Sequence, residues 1–423
     1  MIQPGLERIG ALLKNVHFPW KAIHVAGTNG KGSICASTSA LLTRRNIKNG
    51  RFTSPHIIDR WDCITVNDKP VGELRFKTVE RHFIQLSERE NINASPFEIL
   101  TASAFQIFND SNIDVGVVEV GMGGKLDATN ILNNQVVSVI SKIAHDHQSF
   151  LGHTLQEIAK HKAGILRPSI PYILNPRNDI SVRLAVDDVA KEVGAGPLID
   201  LGSEQLRTSL YSTPDWVKAV SGMSTIQRDN LALAYSAFFT ALTSMKESTS
   251  KAPKLLIGVT RKGLPGRYQM QKFTRMLGAF REILVDGAHN RDAAKALDDY
   301  VSKKLRQRDN IIDGDAPRMV PVTWVIAMSE GKQVIPFLQA LLRPGDMIVT
   351  TTFGPVDGMP WVKPMKPNSI LKAAKNIIPD ILGLCNNTPE VYRAVATAKY
   401  LTEGRNPIVV TGSLYLVGDL LRD

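Results

Sequence analysis

The sequence has little cysteine and no long apolar run. Its three cysteines, Cys35, Cys63 and Cys385, are far apart in 423 residues, which argues against a disulfide framework or a zinc site and favours a reducing compartment. No segment approaches the roughly 18 apolar residues of a transmembrane helix, and the first residues form neither a signal peptide nor an arginine-rich leader. We therefore expect a cytoplasmic protein that does not act at a membrane.

Acidic residues are fewer than basic ones. The 51 Lys and Arg residues against 40 Asp and Glu residues give a formal net charge of +11, which suits nucleic acid or small anionic ligands. The basic residues are spread along the chain in short pairs such as Lys303-Lys304, with no basic stripe interleaved with aromatic residues. We expect no nucleic-acid partner, and we assign most of the charge to solvated surface.

The segment 21–33, KAIHVAGTNGKGS, organises the rest of the chain. Its apolar run ends in a glycine-rich loop, which is followed by a helix-like segment rich in Ser, Thr and Ala. Glycine lets backbone N–H groups turn toward an anion, and a helix N-terminus adds a favourable dipole. The order is typical of a phosphate-binding loop, in which Lys31 reaches the phosphates of ATP and the Ser33 hydroxyl ligates Mg²⁺. An ordinary glycine-rich turn between a strand and a helix is the alternative.

Two further strand-like runs end in side chains that suit the same site. The run 114–120, DVGVVEV, carries Glu119 near its end, and the run 136–143 leads into His147. An acid after a second strand positions Mg²⁺ in such sites, and burying a carboxylate without a partner is costly. A histidine just past a parallel strand is well placed to be a ligand, although a lone histidine is more often a satisfied surface or core group.

Strand-like and helix-like segments alternate through both halves of the chain, which predicts an α/β protein with parallel, doubly wound sheets. We expect a P-loop-type domain with a mostly parallel sheet at 1–262 and a smaller Rossmann-like domain at 263–423. Strands of the second domain are predicted at 283–285, 322–328, 347–351 and 407–411.

The motifs resemble the Mur-ligase superfamily, and within it the family of dihydrofolate synthases and folylpolyglutamate synthases. GTNGKGS at 27–33 resembles the family's nucleotide loop, and EVGMGGKLDATN at 119–130 resembles its E-V-G-L-G-G-R-L-D-A-T-N. The resemblance covers essentially the whole chain. Further matches are TSPH at 53–56, DHQSFLG at 146–152, IAKHKAGI at 158–165, PGR at 265–267 and DGAHN at 286–290.

The resemblance implies the site residues. For catalysis it implies Lys31, His147 and Lys162; for two Mg²⁺ sites it implies Ser33, Glu119, His147 and Lys162. For ATP it implies Thr28, Asn29, Gly30, Lys31, Gly32, Ser33, Asn230, Arg267, Asp286 and His289. For the acceptor substrate it implies Gln3, Pro4, Gly5, Thr53, Ser54, Pro55, His56, Ser95, Pro96, Phe97, Glu98, Leu126, Asp127 and Ala128. Gln3-Pro4 stand where the family has an acidic-Leu pair, and a core role for Phe97 is an equal alternative.

The resemblance also implies an activity. Family members use ATP and Mg²⁺ to activate a carboxylate as an acyl phosphate and then join it to L-glutamate. The chain length and the stretch DGMPW at 357–361 look most like the fungal dihydrofolate synthases, which act on dihydropteroate. A folylpolyglutamate synthase or bifunctional enzyme acting on reduced folates is the alternative, and a nucleic-acid-stimulated P-loop ATPase is a distant one. We expect a monomer.

Lys162 carries the most specific expectation. The matching lysine of the family reacts with CO₂ to give a carbamate that ligates a second Mg²⁺. Lysine suits this because its pKa falls readily when it is desolvated beside a cation. His161 stands where the family has Glu. This substitution either eases carbamate formation, because it removes a neighbouring negative charge that favours ammonium, or means that a second metal is bound differently. The alternative is a lysine on the helix surface that pairs with phosphate.

Overall fold

The computed structural model describes residues 5–250, 252–259, 264–272, 282–307, 319–403 and 405–422. The chain forms two compact units, one of Met1–His56 and Trp61–Lys262 and one of Ile57–Arg60 and Gly263–Asp423. Each unit is built on one mostly parallel sheet with helices between its strands. The predicted α/β fold class is therefore confirmed.

The first unit has a seven-stranded sheet in the order β4-β3-β2-β5-β1-β6-β7. The strands β2, β5, β1, β6 and β7 are parallel, whereas β3 and β4 continue the sheet as antiparallel hairpin strands. The parallel strands are almost wholly buried, as expected for a sheet covered on both faces. Its strands are β1 Lys21–Ala26, β2 Asn49–Phe52, β3 Ile64–Val66, β4 Lys69–Pro70, β5 Val115–Glu119, β6 Gln135–Ile140 and β7 Tyr172–Leu174.

Helices cover both faces of this sheet. One core lies between β1 and the helices α2 and α10, and another lies between the opposite face and α3 and α4. The helices are α1 Glu7–Leu12, α2 Lys31–Arg44, α3 Glu73–Arg89, α4 Pro96–Asp110, α5 Gln148–Leu151, α6 Leu155–Ala163, α7 Ile180–Val193, α8 Glu204–Leu206, α9 Pro214–Ala219, α10 Thr225–Ser244 and α11 Leu256–Val259.

The second unit has a six-stranded sheet in the order β12-β11-β10-β13-β9-β8, parallel except for β8. Its strands are β8 Gln269–Lys272, β9 Glu282–Val285, β10 Thr323–Ile326, β11 Met347–Thr350, β12 Leu382–Cys385 and β13 Ile408–Thr411. Its helices are α12 Arg291–Lys304, α13 Val334–Leu341, α14 Pro367–Ile377, α15 Val391–Leu401 and α16 Leu414–Arg422.

The strand order of the first unit decides where its site lies. β1 is hydrogen-bonded to β5 on one side and to β6 on the other. The loops that follow these three parallel strands therefore meet at one edge of the sheet, which is where ligands of open α/β sheets bind. Across the described ranges, no helix combines the length and the apolar character needed to cross a membrane.

Candidate active site

The glycines of the phosphate-binding loop are required by their surroundings. Gly27 and Gly30 have φ angles of +141° and +95°, and a Cβ on Gly27 would lie 1.8 Å from Ser141 Oγ. A Cβ on Gly30 would lie 2.5 Å from Asn230 Oδ1, so this asparagine of α10 sits directly against the loop. The predicted ATP residues Gly30 and Asn230 are thus neighbours in the structure.

The rest of the loop is held by β6 and the segment that follows it. The backbone N–H groups of Thr28 and Asn29 donate to the Lys142 carbonyl at 2.9 and 3.1 Å. The Thr28 hydroxyl donates to the Ala144 carbonyl, also at 3.1 Å. Gly30 is the N-cap of α2, whose first turn contains Lys31, Gly32 and Ser33. The structure therefore presents a helix N-terminus of the kind that binds phosphate.

Lys31, Glu119 and Ser54 join the phosphate loop to the predicted substrate loop. Glu119 is 4% exposed at the end of β5, and its Oε1 lies 3.7 Å from the Lys31 Nζ. Its Oε2 accepts a hydrogen bond from the Ser54 backbone N–H at 3.3 Å. The buried carboxylate is thus paired with a charge, which avoids the cost of an unpartnered buried acid.

Lys162 is buried beneath the phosphate loop. It is 4% exposed near the end of α6, and its Nζ donates to the Gly27 carbonyl at 2.9 Å. Burial, and then the positive charge of Lys31, lower the pKa of this amine to about 7. Lys162 is therefore not on the helix surface, as the alternative interpretation had it, because tertiary packing encloses this face of α6; its pairing with phosphate stays a prediction.

The predicted metal ligands lie on separate elements of the first unit, which are α2 for Ser33, the end of β5 for Glu119, the N-cap of α5 for His147 and α6 for Lys162. His147 precedes the short helix α5 with a φ of +52°, and its Nε2 lies 3.8 Å from Asp146 Oδ2. Among the described residues, no three His, Cys, Asp or Glu side chains are grouped so as to hold a metal ion. The predicted set contains two residues of these types, Glu119 and His147, so Ser33 and phosphate oxygens would have to complete it. The metal set stays a prediction.

Phe97 is the aromatic residue of the predicted acceptor region. It is half-buried in the first turn of α4, and its ring stacks on Phe52 with centroids 6.1 Å apart. A Cβ on Gly121, two residues after Glu119, would lie 2.4 Å from the tip of the Phe97 ring. Gly121 therefore lets the aromatic ring lie against the loop that follows β5.

Ser95 and Glu98 are engaged with their own helix. The Ser95 hydroxyl accepts from the Glu98 N–H at 3.3 Å, and Glu98 Oε2 accepts from the Ser95 N–H at 2.7 Å. This is a capping box, with Pro96 in the first turn. Arg8 Nε also donates to Glu98 Oε2 at 3.0 Å, which ties the region after Gly5 to the start of α4. The acceptor contacts of Gly5, Ser95, Pro96 and Glu98 stay predictions.

The remaining predicted acceptor residues lie in two loops. Thr53 donates its N–H to the Cys63 carbonyl at 2.9 Å, Ser54-Pro55 is a cis peptide bond, and His56 is buried. In the loop after β5, Leu126 is 45% exposed, while Asp127 and Ala128 are buried. Gln3 and Pro4 lie outside the described residues.

In the second unit the two predicted nucleotide motifs lie together. The Gly287 N–H donates to the Gly266 carbonyl at 2.9 Å, and a Cβ on Gly287 would lie 2.6 Å from Arg267 Nη1. Asp286 accepts from the backbone N–H groups of Tyr268 and Ala288 at 2.9 and 2.8 Å. Burial raises the pKa of Asp286, and Arg267 opposes this rise.

The His289 ring in the same segment donates from Nδ1 to the Gly287 carbonyl at 2.9 Å, which fixes its orientation. Asp286 thus organises the backbone of this turn. Contacts of Arg267, Asp286 and His289 with a nucleotide stay predictions.

Sequence reasoning missed Arg8 and Arg51. Burial lowers the pKa of Arg51 on β2, an effect opposed first by Asp68 and also by Glu119. For Arg51, the available signal was a charged residue inside the buried run NGRF. For Arg8, it was the Ser-x-x-Glu spacing at 95–98, which predicts the capping box whose Glu98 accepts from Arg8.

Comparisons with known proteins agree with this architecture. A family model for the Mur ligase middle domain matches residues 25–192, and one for the C-terminal domain of dihydrofolate synthetase matches residues 269–423. The chain is 36% identical to the probable dihydrofolate synthetase of Schizosaccharomyces pombe, over 100% of this chain and 98% of that protein. It is 34% identical to the dihydrofolate synthetase of Saccharomyces cerevisiae, with the same coverage.

A solved structure shares the fold. Mycobacterium tuberculosis folylpolyglutamate synthase, complexed with ADP and AMPPCP, matches with a TM-score of 0.78 at 25% identity, over 99% of this chain and 94% of that one. Fold and family matches define an ATP-dependent ligase of the Mur-ligase type. The chain belongs to the dihydrofolate synthetase family.

Proposed function

We propose that this chain joins L-glutamate to 7,8-dihydropteroate to make dihydrofolate, and that ATP is converted to ADP and phosphate in the reaction. The contact of Glu119 with both Lys31 and Ser54 carries the proposal. It brings the lysine of a phosphate-binding loop next to a loop that resembles the family's acceptor loop. A γ-phosphoryl group and an acceptor carboxylate can then meet at one place.

Amide formation requires the γ-phosphoryl group and the acceptor carboxylate to come into contact. A carboxylate is unreactive toward an amine because its oxygen is a poor leaving group. Transfer of the γ-phosphoryl group to the acceptor carboxylate gives an acyl phosphate, and Lys31 offsets the charge that builds up on the phosphoryl oxygens. The glutamate amine then attacks the acyl carbon, and phosphate leaves. The roles of Arg267, Asp286 and His289 toward the nucleotide belong to the same proposal.

The donor set near the phosphate loop suits Mg²⁺. Ser33 in the first turn of α2 and the Glu119 carboxylate are hard oxygen donors, which this ion prefers. In the proposal Ser33, Glu119 and His147 share one ion with phosphate oxygens, and Lys162 serves a second. When bound, Mg²⁺ supplies positive charge that stabilises the phosphate oxygens.

We further propose that Lys162 acts as a carbamate. Its amine is buried, lies 2.9 Å from the Gly27 carbonyl, and has a pKa lowered to about 7. The ammonium first loses one proton to solvent. The neutral amine then attacks CO₂, a C–N bond forms, and a second proton is released, so that a cation becomes an anion. An anion there would balance Lys31 and could ligate a metal.

The carbamate has a testable pH dependence. The pKa of Lys162 is lowered to about 7, so the fraction of neutral amine grows as pH rises through about 7. Carbon-13 NMR with labelled bicarbonate should show a protein carbamate signal at pH 8 that weakens below pH 7 and is absent in Lys162→Ala. Lys160, an exposed lysine on the same helix, gives the control Lys160→Ala, which should keep the signal. Full activity of Lys162→Ala would contradict the proposal.

The choice of acceptor rests on the relatives. The two full-length relatives at 36% and 34% identity are named dihydrofolate synthetases, whereas the structural neighbour at 25% is named a folylpolyglutamate synthase. That neighbour is the reason to keep addition of glutamate to reduced folates as the second candidate.

Release of ADP distinguishes the candidates. We expect release with dihydropteroate only when glutamate is present, and at least about tenfold slower release with tetrahydrofolate, since a missing or added group in a fitted site commonly changes rates by that factor or more. Equal rates would favour a bifunctional enzyme. Turnover with tetrahydrofolate but not with dihydropteroate would overturn the proposal. ATP hydrolysis that is stimulated by nucleic acid would indicate the P-loop ATPase.

A further inference from the structure

A buried chain of side-chain hydrogen bonds links β1 to the loop after β5. His24, which is fully buried in β1, lies with its Nε2 2.9 Å from the Thr129 hydroxyl and its Nδ1 2.6 Å from Gln135 Nε2. The Thr129 hydroxyl lies 2.5 Å from Asp127 Oδ1, and Asp127 Oδ2 accepts from the Met122 N–H at 2.8 Å. The bonds therefore run from the strand before the phosphate loop to the acceptor loop.

The protons on this chain can be assigned from Asp127, whose pKa is raised by burial, while hydrogen bonds from Met122 and Thr129 oppose this rise and favour the carboxylate. Asp127 accepts both the hydroxyl and, at 3.0 Å, the N–H of Thr129. Because the Thr129 proton points to the carboxylate, the hydroxyl oxygen must accept from His24 Nε2–H. His24 Nδ1 is then an acceptor for the Gln135 amide. The neutral Nε2–H tautomer of His24 therefore satisfies both hydrogen bonds of the ring.

The surroundings keep His24 neutral. Burial and, to a smaller extent, the charge of Arg167 lower its pKa to about 3. His24 lies on the opposite face of β1 from Ile23 and Val25, whose side chains enter the core between β1 and the helices α2 and α10. The ring is therefore a fixed donor and acceptor within the sheet, and it does not titrate near neutral pH.

We propose that His24 and Thr129 are positioning residues for the acceptor substrate. Their hydrogen bonds hold Asp127 at the start of the short 3₁₀ turn Ala128–Ile131, and thereby fix the loop 121–128 at the edge of the sheet where β1 leads into the phosphate loop. The inference rests on the proposed function, because it takes the exposed Leu126 and the adjacent loop residues as the acceptor side.

The second half of the loop is anchored separately, because the Lys125 N–H donates to the His161 carbonyl at 2.9 Å and the Asn130 amide donates to the Lys125 carbonyl at 2.9 Å, whereas the segment before Lys125 is rich in glycine. Gly123 has a φ of +72°, and Gly124 is packed against the carbonyls of His161 and Lys162 at 2.6 and 2.7 Å from an added Cβ. Two consecutive glycines restrict the backbone little. The Asp127 carboxylate, which binds Met122 on one side and Thr129 on the other, supplies the restraint that the glycines do not.

Thr129→Val removes the hydroxyl and keeps the shape of the side chain. We expect the KM for dihydropteroate to rise about tenfold, as for the loss of one hydrogen bond to a charged group, while the KM for ATP stays within about twofold. Thr129→Ser retains the hydroxyl and should restore the KM for dihydropteroate. Thr38→Val, which removes another fully buried hydroxyl that bonds to Ile34 and Ala234 carbonyls, should change neither KM.

A double variant tests whether the two residues act as one chain. Adding His24→Leu to Thr129→Val should change the KM for dihydropteroate by less than about twofold, because residues of one network are not additive. An unchanged KM in Thr129→Val, or a Thr129→Ser variant as impaired as Thr129→Val, would overturn the proposal.

Nitrogen-15 NMR of histidine-labelled wild-type protein gives a readout that needs no substrate. His24 should appear as the neutral Nε2–H tautomer from pH 5 to 8. The Nδ1–H tautomer, or titration within this range, would overturn the proposal even if the variants failed to fold. A wild-type enzyme that does not consume dihydropteroate would instead contradict the proposed function, and the two failures are therefore distinguishable.

Discussion

At the scale of single residues, Glu119 shows how a sequence pattern can fix a contact. An acid at the end of a buried strand needs a partner, and the structure supplies Lys31 at 3.7 Å and the Ser54 N–H at 3.3 Å. Glutamine at this position would have the same shape and keep one hydrogen-bond acceptor, but it would lose the charge. We therefore expect the proposed role of Glu119 to depend on the charge of its carboxylate more than on packing.

We expect Glu119→Gln to lower kcat by roughly 100-fold or more, because preorganised charge in an enclosed site is worth that much. The variant should remain folded, since the side-chain volume is unchanged. Steady-state kinetics over a Mg²⁺ titration measures kcat, and circular dichroism checks that the variant is folded. Glu73→Gln, which removes an exposed acid paired to Lys77, should be silent. Near-normal turnover in Glu119→Gln would remove this carboxylate from the site.

Gly121 should reveal whether the Phe97 ring contacts the acceptor. The tip of that ring lies 2.4 Å from an added Cβ, so Gly121→Ala should move the ring without unfolding the chain. We expect the KM for dihydropteroate to rise about tenfold, within the usual cost of overpacking. Gly72→Ala is the matched control, because an added Cβ there meets nothing within 4 Å. An unaltered KM in Gly121→Ala would leave Phe97 as a core residue.

At the scale of elements, the start of α4 combines stability with the acceptor region. Ser95→Ala removes the capping-box hydroxyl that accepts from the Glu98 N–H at 3.3 Å. We expect the free energy of unfolding to fall by about 1 kcal/mol, measured by urea denaturation, with a higher KM for dihydropteroate because Phe97 follows in the same turn. Ser95→Thr keeps the cap and should behave as wild type. A loss of stability without any change in KM would separate the cap from the acceptor region.

The sequence predicted the main strands because a parallel strand buried on both faces is a nearly continuous run of apolar residues, with few polar interruptions. The runs around Val115–Glu119 and Gln135–Ile140 are of this kind. It did not predict the antiparallel pairing of β8 Gln269–Lys272 with β9, because an edge strand of alternating half-buried residues has no such run.

The bonds of His24 were not predictable either. A histidine inside an apolar strand reveals neither its partners nor its tautomer, since Thr129 and Gln135 are more than 100 positions away in the sequence. Likewise, the sequence left Lys162 open between a surface lysine and a carbamate. Only its burial beneath Gly27 decided against the surface.

At the scale of the whole molecule, the chain is an ATP-dependent ligase of the dihydrofolate synthetase family. The central claim is that its acceptor carboxylate is activated by phosphorylation before glutamate attacks. In that reaction the bridging oxygen of the acyl phosphate comes from the acceptor and leaves with the phosphate.

Dihydropteroate labelled with ¹⁸O in its carboxylate tests this claim directly. After turnover with ATP and L-glutamate, mass spectrometry of the inorganic phosphate should show one ¹⁸O atom in each phosphate formed, and no labelled phosphate without ATP. Phosphate free of ¹⁸O, formed while dihydrofolate accumulates, would contradict activation through an acyl phosphate.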